Sequence, residues 1–172
     1  MAKVELLVPI ILKWEGGFAN DPDDLGGATN KGITFNTFSS YCRRKGYPKP
    51  TIERLKAITA AQWMDIMKTM YWDKWRADEI QSQSVANILV DWLWLSGSHG
   101  IKIPQSVLGV PADGIVGPQT INAVNREDPL TLFNKIKEAR YQFIDRICQS
   151  RPINNKYKKG WINRLNDIDF EG

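Results

Sequence analysis

Cysteine and histidine are nearly absent from this chain: Cys42, Cys148 and His99 are the only ones among 172 residues. Two thiols so far apart make no disulfide framework and read as reduced core residues. Two thiols and one imidazole without ligand spacing are a poor zinc set, and nothing in the sequence supports a Cys–His nucleophile. Long apolar runs are also missing. No stretch reaches the roughly 18 residues of a membrane span, so no integral membrane segment is expected. The opening Met1-Ala2-Lys3-Val4-Glu5 leads to Pro9 and Lys13 with no apolar signal core and no small-residue cleavage site, so we expect synthesis in the cytoplasm without a signal peptide. Low-complexity tracts and strong repeats are lacking. No segment alternates for more than a few residues, which points to a mainly α fold.

What is present is enough to build a core: 42% of residues are hydrophobic, which argues against disorder. There are seven tryptophans. Most of them should pack inside, leaving the rest to line a cleft, where flat aromatic faces suit sugar rings. A net charge of +4 suits an anionic polymer such as nucleic acid, a membrane surface or a bacterial wall. It equally suits an ordinary basic surface.

Val4, Leu7, Val8, Ile11 and Leu12 follow a helical period. The helix they predict is kinked at Pro9 or effectively begins there, and it ends near Glu15, before Gly16-Gly17. Turn residues then crowd the segment from Phe18 to Thr34, predicting an irregular loop or small hairpin folded back over the helix end. A short helix is expected over 35–45. Another is expected from the Thr59-Ala60-Ala61-Gln62 capping box to about Tyr71. Residues 84–96 are the most apolar stretch and the candidate central helix. Asp128-Pro129 starts a helix to about Gln149 with Leu132, Ile136, Phe143 and Ile147 inward, and a short helix near Trp161–Ile168 closes the chain. Ser96-Gly97-Ser98-His99-Gly100 reads as a joint, dividing a lobe of residues 1–97 from one of 98–172.

A carboxyl at a helix C-terminus, next to Trp14, draws attention to Glu15. The negative end of the helix dipole and an apolar neighbour both disfavour the charged form. A carboxyl that keeps its proton is what a general acid needs. By this reasoning alone an ordinary exposed glutamate fits as well. Glycoside hydrolysis commonly uses a second carboxylate, and Asp21, Asp23 and Asp24 lie in the following loop. Thr29 and Thr34 are placed to orient a water. The loop lacks the ligand alternation and terminal glutamate of an EF-hand.

The run Glu15-Gly16-Gly17-Phe18-Ala19-Asn20-Asp21-Pro22-Asp23-Asp24-Leu25-Gly26-Gly27-Ala28-Thr29-Asn30-Lys31-Gly32-Ile33-Thr34 resembles the signature of glycoside hydrolase family 108, E-G-G-[YF]-x-N-D-P-x-D-x-G-G-x-T-N-x-G-I-[ST]. Residues 59–72, with Ala61, Tyr71 and Trp72, resemble that family's next helix. The resemblance implies a lysozyme-like helical fold with an irregular loop or hairpin after the catalytic helix. It also implies an N-acetylmuramidase of the kind found as phage or prophage endolysins and bacterial wall enzymes, with the catalytic glutamate at Glu15. The phage-type lysozymes carry a looser E-x8-D-x5-T pattern. Glu15 and Asp24 fit its first interval, but Thr29 comes one residue early and Asn30 stands at the expected place. Asp24 and Thr29 are therefore the candidate catalytic partners, with Asp21 in reserve.

Further on, Ile101-Lys102-Ile103-Pro104-Gln105-Ser106-Val107-Leu108-Gly109 and Asp113-Gly114-Ile115-Val116-Gly117-Pro118-Gln119-Thr120 resemble a predicted peptidoglycan-binding module, L-Q-x-x-L-G followed by D-G-x-x-G-P-x-T. Asp21, Asn30, Trp72, Asp113 and Thr120 are the candidate substrate contacts. The same C-terminal residues also make sense as turn and packing residues that touch no sugar. Two positions depart from the resemblance: Leu95 stands where the family's buried helix commonly has Asn, and Pro104 stands where a hydrophobic residue commonly precedes the Gln.

The implied reaction is hydrolysis of the β-1,4 bond between N-acetylmuramic acid and N-acetylglucosamine, without metal or organic cofactor. The expected partner is peptidoglycan, reached by holin-type release, with the protein acting as a monomer. The alternatives are a non-catalytic wall-binding protein of the same fold and a nucleic-acid binder using the basic–aromatic cluster Lys156-Tyr157-Lys158-Lys159-Gly160-Trp161. The closing Gly160-Trp161-Ile162-Asn163-Arg164 resembles a structural tail of the family and disfavours the nucleic-acid reading.

Overall fold

Local capping chemistry sets most helix boundaries in the computed structural model, which describes residues 1–20 and 27–172. The elements run α1 (Val4–Leu12), β1 (Phe18–Ala19), β2 (Thr29–Asn30), β3 (Ile33–Thr34), α2 (Phe35–Lys45), α3 (Ile52–Lys56), α4 (Ala60–Met67), α5 (Gln83–Ser96), α6 (His99–Leu108), α7 (Pro118–Arg126), α8 (Pro129–Ser150) and α9 (Asn155–Asn166). The Thr59/Gln62 capping box opens α4, which runs on through a π-helical turn over Lys68–Trp72. Asp128 caps α8 by accepting the Thr131 N–H, with Pro129 at the first helical position. Gly46, at φ +71°, ends α2 in the left-handed conformation.

Of the two expectations for this segment, irregular loop or small hairpin, the described residues show the hairpin, as a three-stranded antiparallel sheet in the order β1-β2-β3. Asn30 pairs with Ile33 across a two-residue turn, and both turn residues, Lys31 and Gly32, have positive φ. That is the requirement of a tight type I′ hairpin. Trp63 Nε1 donates to the Lys31 carbonyl at 2.9 Å, tying the turn to α4.

The centre of the molecule is α5. Every residue from Ser84 to Trp94 is buried, because α1, α6 and α8 all pack on this helix. The α5–α6 corner is tight: Gly97 has φ +59°, and a Cβ on Gly100 would lie 2.4 Å from the Leu93 nitrogen. Only glycine lets these backbones approach so closely.

Two helices differ from the sequence expectations, α1 and α9, and α6 forms where the sequence reading named no element. Helix α1 keeps Pro9 in its interior but stops at Leu12, short of Glu15. The chain tightens there, with Trp14 N–H bonded to Ile11 O and Glu15 N–H to Leu12 O. Helix α6 forms despite Pro104. A proline lacks the N–H that would bond the carbonyl four residues back, and that carbonyl, on Gly100, accepts instead from Trp75 Nε1 at 3.1 Å. Helix α9 begins at Asn155 rather than near Trp161. Its first turns are polar, and Trp161, Ile162 and Leu165 hold it to the core. Both cysteines are free and buried. Among the described residues no helix is long and apolar enough to cross a membrane.

Candidate active site

Glu15 leaves the end of α1 and enters a groove of about 460 Å³. Thr29, Gly32 and Thr34 of the hairpin flank it on one side. Trp94, Leu95, Ser96 and His99 form the end at the α5–α6 corner. Phe143 and Ile147 of α8, with Tyr157 and Trp161 of α9, supply the far wall. Residues on both sides of the Ser96–Gly100 joint therefore line one groove.

The glutamate is held at one oxygen. Oε1 accepts from Trp94 Nε1 at 3.1 Å and from Arg164 Nη1 at 2.8 Å. Among the described residues nothing hydrogen-bonds to Oε2. Gly32 leaves room for this carboxyl: a Cβ there would lie 2.6 Å from Glu15 Cδ and Oε2, and the residue sits at φ +84°. Trp94 is itself fixed by rings, packing at 5.5 Å centroid distance from Trp63 and 4.7 Å from Tyr71. The hydroxyl of Tyr71 lies 3.0 Å from Thr37 Oγ1 in α2.

Behind Arg164 runs a chain of alternating charge. Arg164 Nη2 donates to Asp91 Oδ1 at 2.7 Å, and Arg140 Nη2 donates to Asp91 Oδ2 at 2.9 Å. Arg140 Nη1 then donates to the Ile88 carbonyl. The side chains of Asp91, Arg140 and Arg164 are 0%, 4% and 6% exposed, against 14% for Glu15. Burial alone would raise the Asp91 pKa, but the two guanidiniums override it and hold that carboxyl below its ordinary value. Burial works against the charge on Arg164 too, and Asp91 with Glu15 overcomes it, raising the guanidinium above its ordinary value. Asp91 is wholly enclosed and faces no substrate.

This setting differs from the one the sequence suggested. Glu15 lies three residues beyond α1, its indole neighbour is Trp94 instead of Trp14, and its charged neighbour is a guanidinium. Arg164, Asp91 and Arg140 were not candidate site residues. Asp91 carried a usable signal, because a carboxylate inside the most apolar stretch demands a buried partner. Arg164 had none within reach, since 149 residues separate it from Glu15.

The remaining candidates divide. Thr29 shares the groove with Glu15. Thr34 does too, but its hydroxyl caps α2 by accepting the Thr37 N–H at 3.1 Å. Asn30 is buried and donates to the Leu55 and Lys56 carbonyls, anchoring the hairpin to α3. Trp72 is wholly buried and donates to Asp78 Oδ1 at 2.8 Å, so the structure does not bring it to the groove. Asp113 and Thr120 meet at Gln105, whose Nε2 donates to both side chains, and neither lines the groove. The backbone N–H of Ile115 and the Gln105 amide lower the Asp113 pKa, as expected of a carboxylate bracing its own turn. Asp21 and Asp24 lie outside the described residues. Leu95, the departure from the family pattern, is 38% exposed in the groove wall.

Comparison with known proteins gives the family and the fold. The model of a family described as Glycosyl hydrolase 108 matches residues 8–97, and one described as Predicted Peptidoglycan domain matches residues 99–166. A solved structure of SagA from Brucella abortus is 30% identical and superposes with a TM-score of 0.82, covering 95% of this chain and 90% of that one. No curated protein matches. A lysozyme-like, mainly α fold thus carries a glycosidase match around Glu15 over more than half its length and a peptidoglycan match over most of the rest. The chain belongs to the glycosyl hydrolase 108 family and is, in general class, a peptidoglycan hydrolase.

Proposed function

We propose that this protein is an N-acetylmuramidase that cuts the β-1,4 bond between N-acetylmuramic acid and N-acetylglucosamine, with Glu15 as general acid. One observation carries the reading: Glu15 is anchored through Oε1 at the wall of an open groove, leaving Oε2 as the working oxygen. Fixing one oxygen removes rotational freedom from the carboxyl and orients the other, the kind of pre-organisation that lowers a barrier. In this scheme the Oε2 proton passes to the glycosidic oxygen as the C–O bond breaks. The sugar develops oxocarbenium character, and water completes the hydrolysis. Thr29, which lines the same groove, is the hydroxyl assigned to orient that water. Asp24 is the proposed second carboxylate and Asp21 its reserve. Action is outside the cytoplasm, on the wall. Residues 1–97 form the proposed catalytic lobe and 98–172 the lobe packed on it.

Glu15→Gln keeps the size and the anchoring acceptor but cannot deliver the proton. It should fold and yet fail to clear purified peptidoglycan, by roughly two orders of magnitude or more in rate. Mass spectrometry of the wild-type digest should show fragments ending in reducing N-acetylmuramic acid. Full clearing by the Gln variant would refute the role of Glu15. A wild-type protein that pulls down with peptidoglycan but releases no reducing ends would favour the non-catalytic wall binder.

A further inference from the structure

The groove has a wall the catalytic reading does not use. Tyr157, Trp161 and Arg164 are spaced by four and three residues, so they lie on one face of α9. The contact between Arg164 and Glu15 Oε1 at 2.8 Å fixes where this face meets the reacting centre. At about 1.5 Å rise per residue, Trp161 stands roughly 4.5 Å and Tyr157 roughly 10 Å further along the helix axis. Both rings line the groove. They pack tilted against each other with centroids 5.6 Å apart. Five of the seven tryptophans, Trp63, Trp72, Trp75, Trp92 and Trp94, are at most 8% exposed, and their indoles are accounted for by packing. Trp161 is only half-buried and lines the groove.

We propose that Trp161, with Tyr157 beside it, is a stacking platform for N-acetylhexosamine rings of the glycan strand, on one side of the bond that Glu15 cleaves. The inference rests on the reading of Glu15 as the cleaving residue. The apolar C–H face of a β-linked pyranose meets an indole face while its hydroxyl and acetamido groups stay in water. A half-exposed ring at a groove wall offers that environment. The C-terminal region then builds part of the catalytic groove, in addition to any wall anchoring. It also gives the basic–aromatic sequence around Tyr157 and Trp161 a role that needs no nucleic acid.

The test separates binding from cleavage. In the Glu15→Gln protein, affinity for the β-1,4-linked tetramer of N-acetylglucosamine is measured by calorimetry, with and without Trp161→Ala. The platform predicts affinity weaker by about tenfold for Ala, with Trp161→Phe restoring most of it. In the otherwise wild-type enzyme, Trp161→Ala should raise KM on peptidoglycan fragments with kcat largely kept. Should the Ala variant fail to fold, the indole N–H resonance of Trp161, assigned by its loss in the Phe variant, must shift on adding the tetramer. Equal affinities with and without Trp161, an unmoved resonance, no saturable tetramer binding, or binding of single-stranded DNA alone would each overturn the platform. Failure of the Glu15 reading shows instead in the lysis assay, as activity of the Gln variant.

Discussion

Gly32 shows how one hydrogen atom sets the position of the Glu15 carboxyl. Its φ of +84° and the 2.6 Å approach of a notional Cβ to the Glu15 carboxyl are separate constraints on one residue. Gly32→Ala strains the backbone by about 1–2 kcal/mol. The atoms in the way are the end of the glutamate side chain and, at 2.8 Å, Cζ2 of the packed Trp94 ring, so the carboxyl and the indole that anchors it must both shift while the backbone around them keeps its place. We expect a protein that still unfolds cooperatively, with activity on peptidoglycan reduced roughly a hundredfold. A variant with unchanged activity would show that the position of Glu15 is not critical. Arg164 presents the opposite balance. Arg164→Met leaves Asp91 and Glu15 without their shared cation, which should destabilise the protein by about 3–5 kcal/mol in urea unfolding. Asp91 adds a pH signature. Its folded pKa is depressed, so its contribution is complete above the unfolded value near 4 and is lost as pH falls through the lower folded value. Melting temperature should therefore drop below about pH 4 in the wild type. Asp91→Asn, weaker at neutral pH because two buried guanidiniums lose their carboxylate, should lack that contribution to the drop.

At the scale of elements, the α5–α6 corner is the least tolerant joint. A Cβ on Gly100 meets the backbone of Leu93 and Trp92, at 2.4 and 2.6 Å, and backbone cannot swing aside as a side chain can. Gly100→Ala should cost at least about 3 kcal/mol in chemical denaturation, at the upper end of overpacking effects. A stability within about 0.5 kcal/mol of wild type would count against the close approach. What could be read from sequence at this scale follows from locality. The Thr59–Gln62 box, the Asp128-Pro129 start and the apolar run of α5 act within a turn or two, and each appears where its chemistry requires. The turn residues after Phe18 likewise point to an irregular loop or small hairpin, and the pairing of β1, β2 and β3 decides for the hairpin. Helix α6 was hidden because Pro104 argues against a helix interior, and the Gly100 carbonyl it leaves without a helical donor accepts from Trp75, 25 residues earlier in the chain. The early start of α9 was hidden because packing on α8 outweighs its polar composition. At the site itself, the twenty-residue run beginning at Glu15 carried the family, whereas Arg164 became visible only through long-range pairing.

For the whole molecule, the groove depends on both parts of the chain. Residues 1–97 supply Glu15, the hairpin and α5, and residues 98–172 supply the cation on Glu15, the second cation on Asp91 and the far wall. Helix α5 shows the dependence in detail. Trp92 packs edge-on against Phe143 at 5.8 Å, and the Arg140 guanidinium lies 5.8 Å from the Trp92 ring centre. Cut after residue 97, the first part would expose Trp92 and leave Asp91, now enclosed, without either guanidinium. Stripping a buried carboxylate of its partners is among the most destabilising changes a small domain can undergo, and a domain's margin is about 5–15 kcal/mol. We therefore expect residues 1–97 expressed alone to give a collapsed amide NMR spectrum and no lysis of peptidoglycan. Adding residues 98–172 as a separate chain should restore both dispersion and some activity. A well-dispersed, lytic 1–97 fragment would show that Arg164 is dispensable to the acid and that the family match over residues 8–97 marks a self-sufficient enzyme.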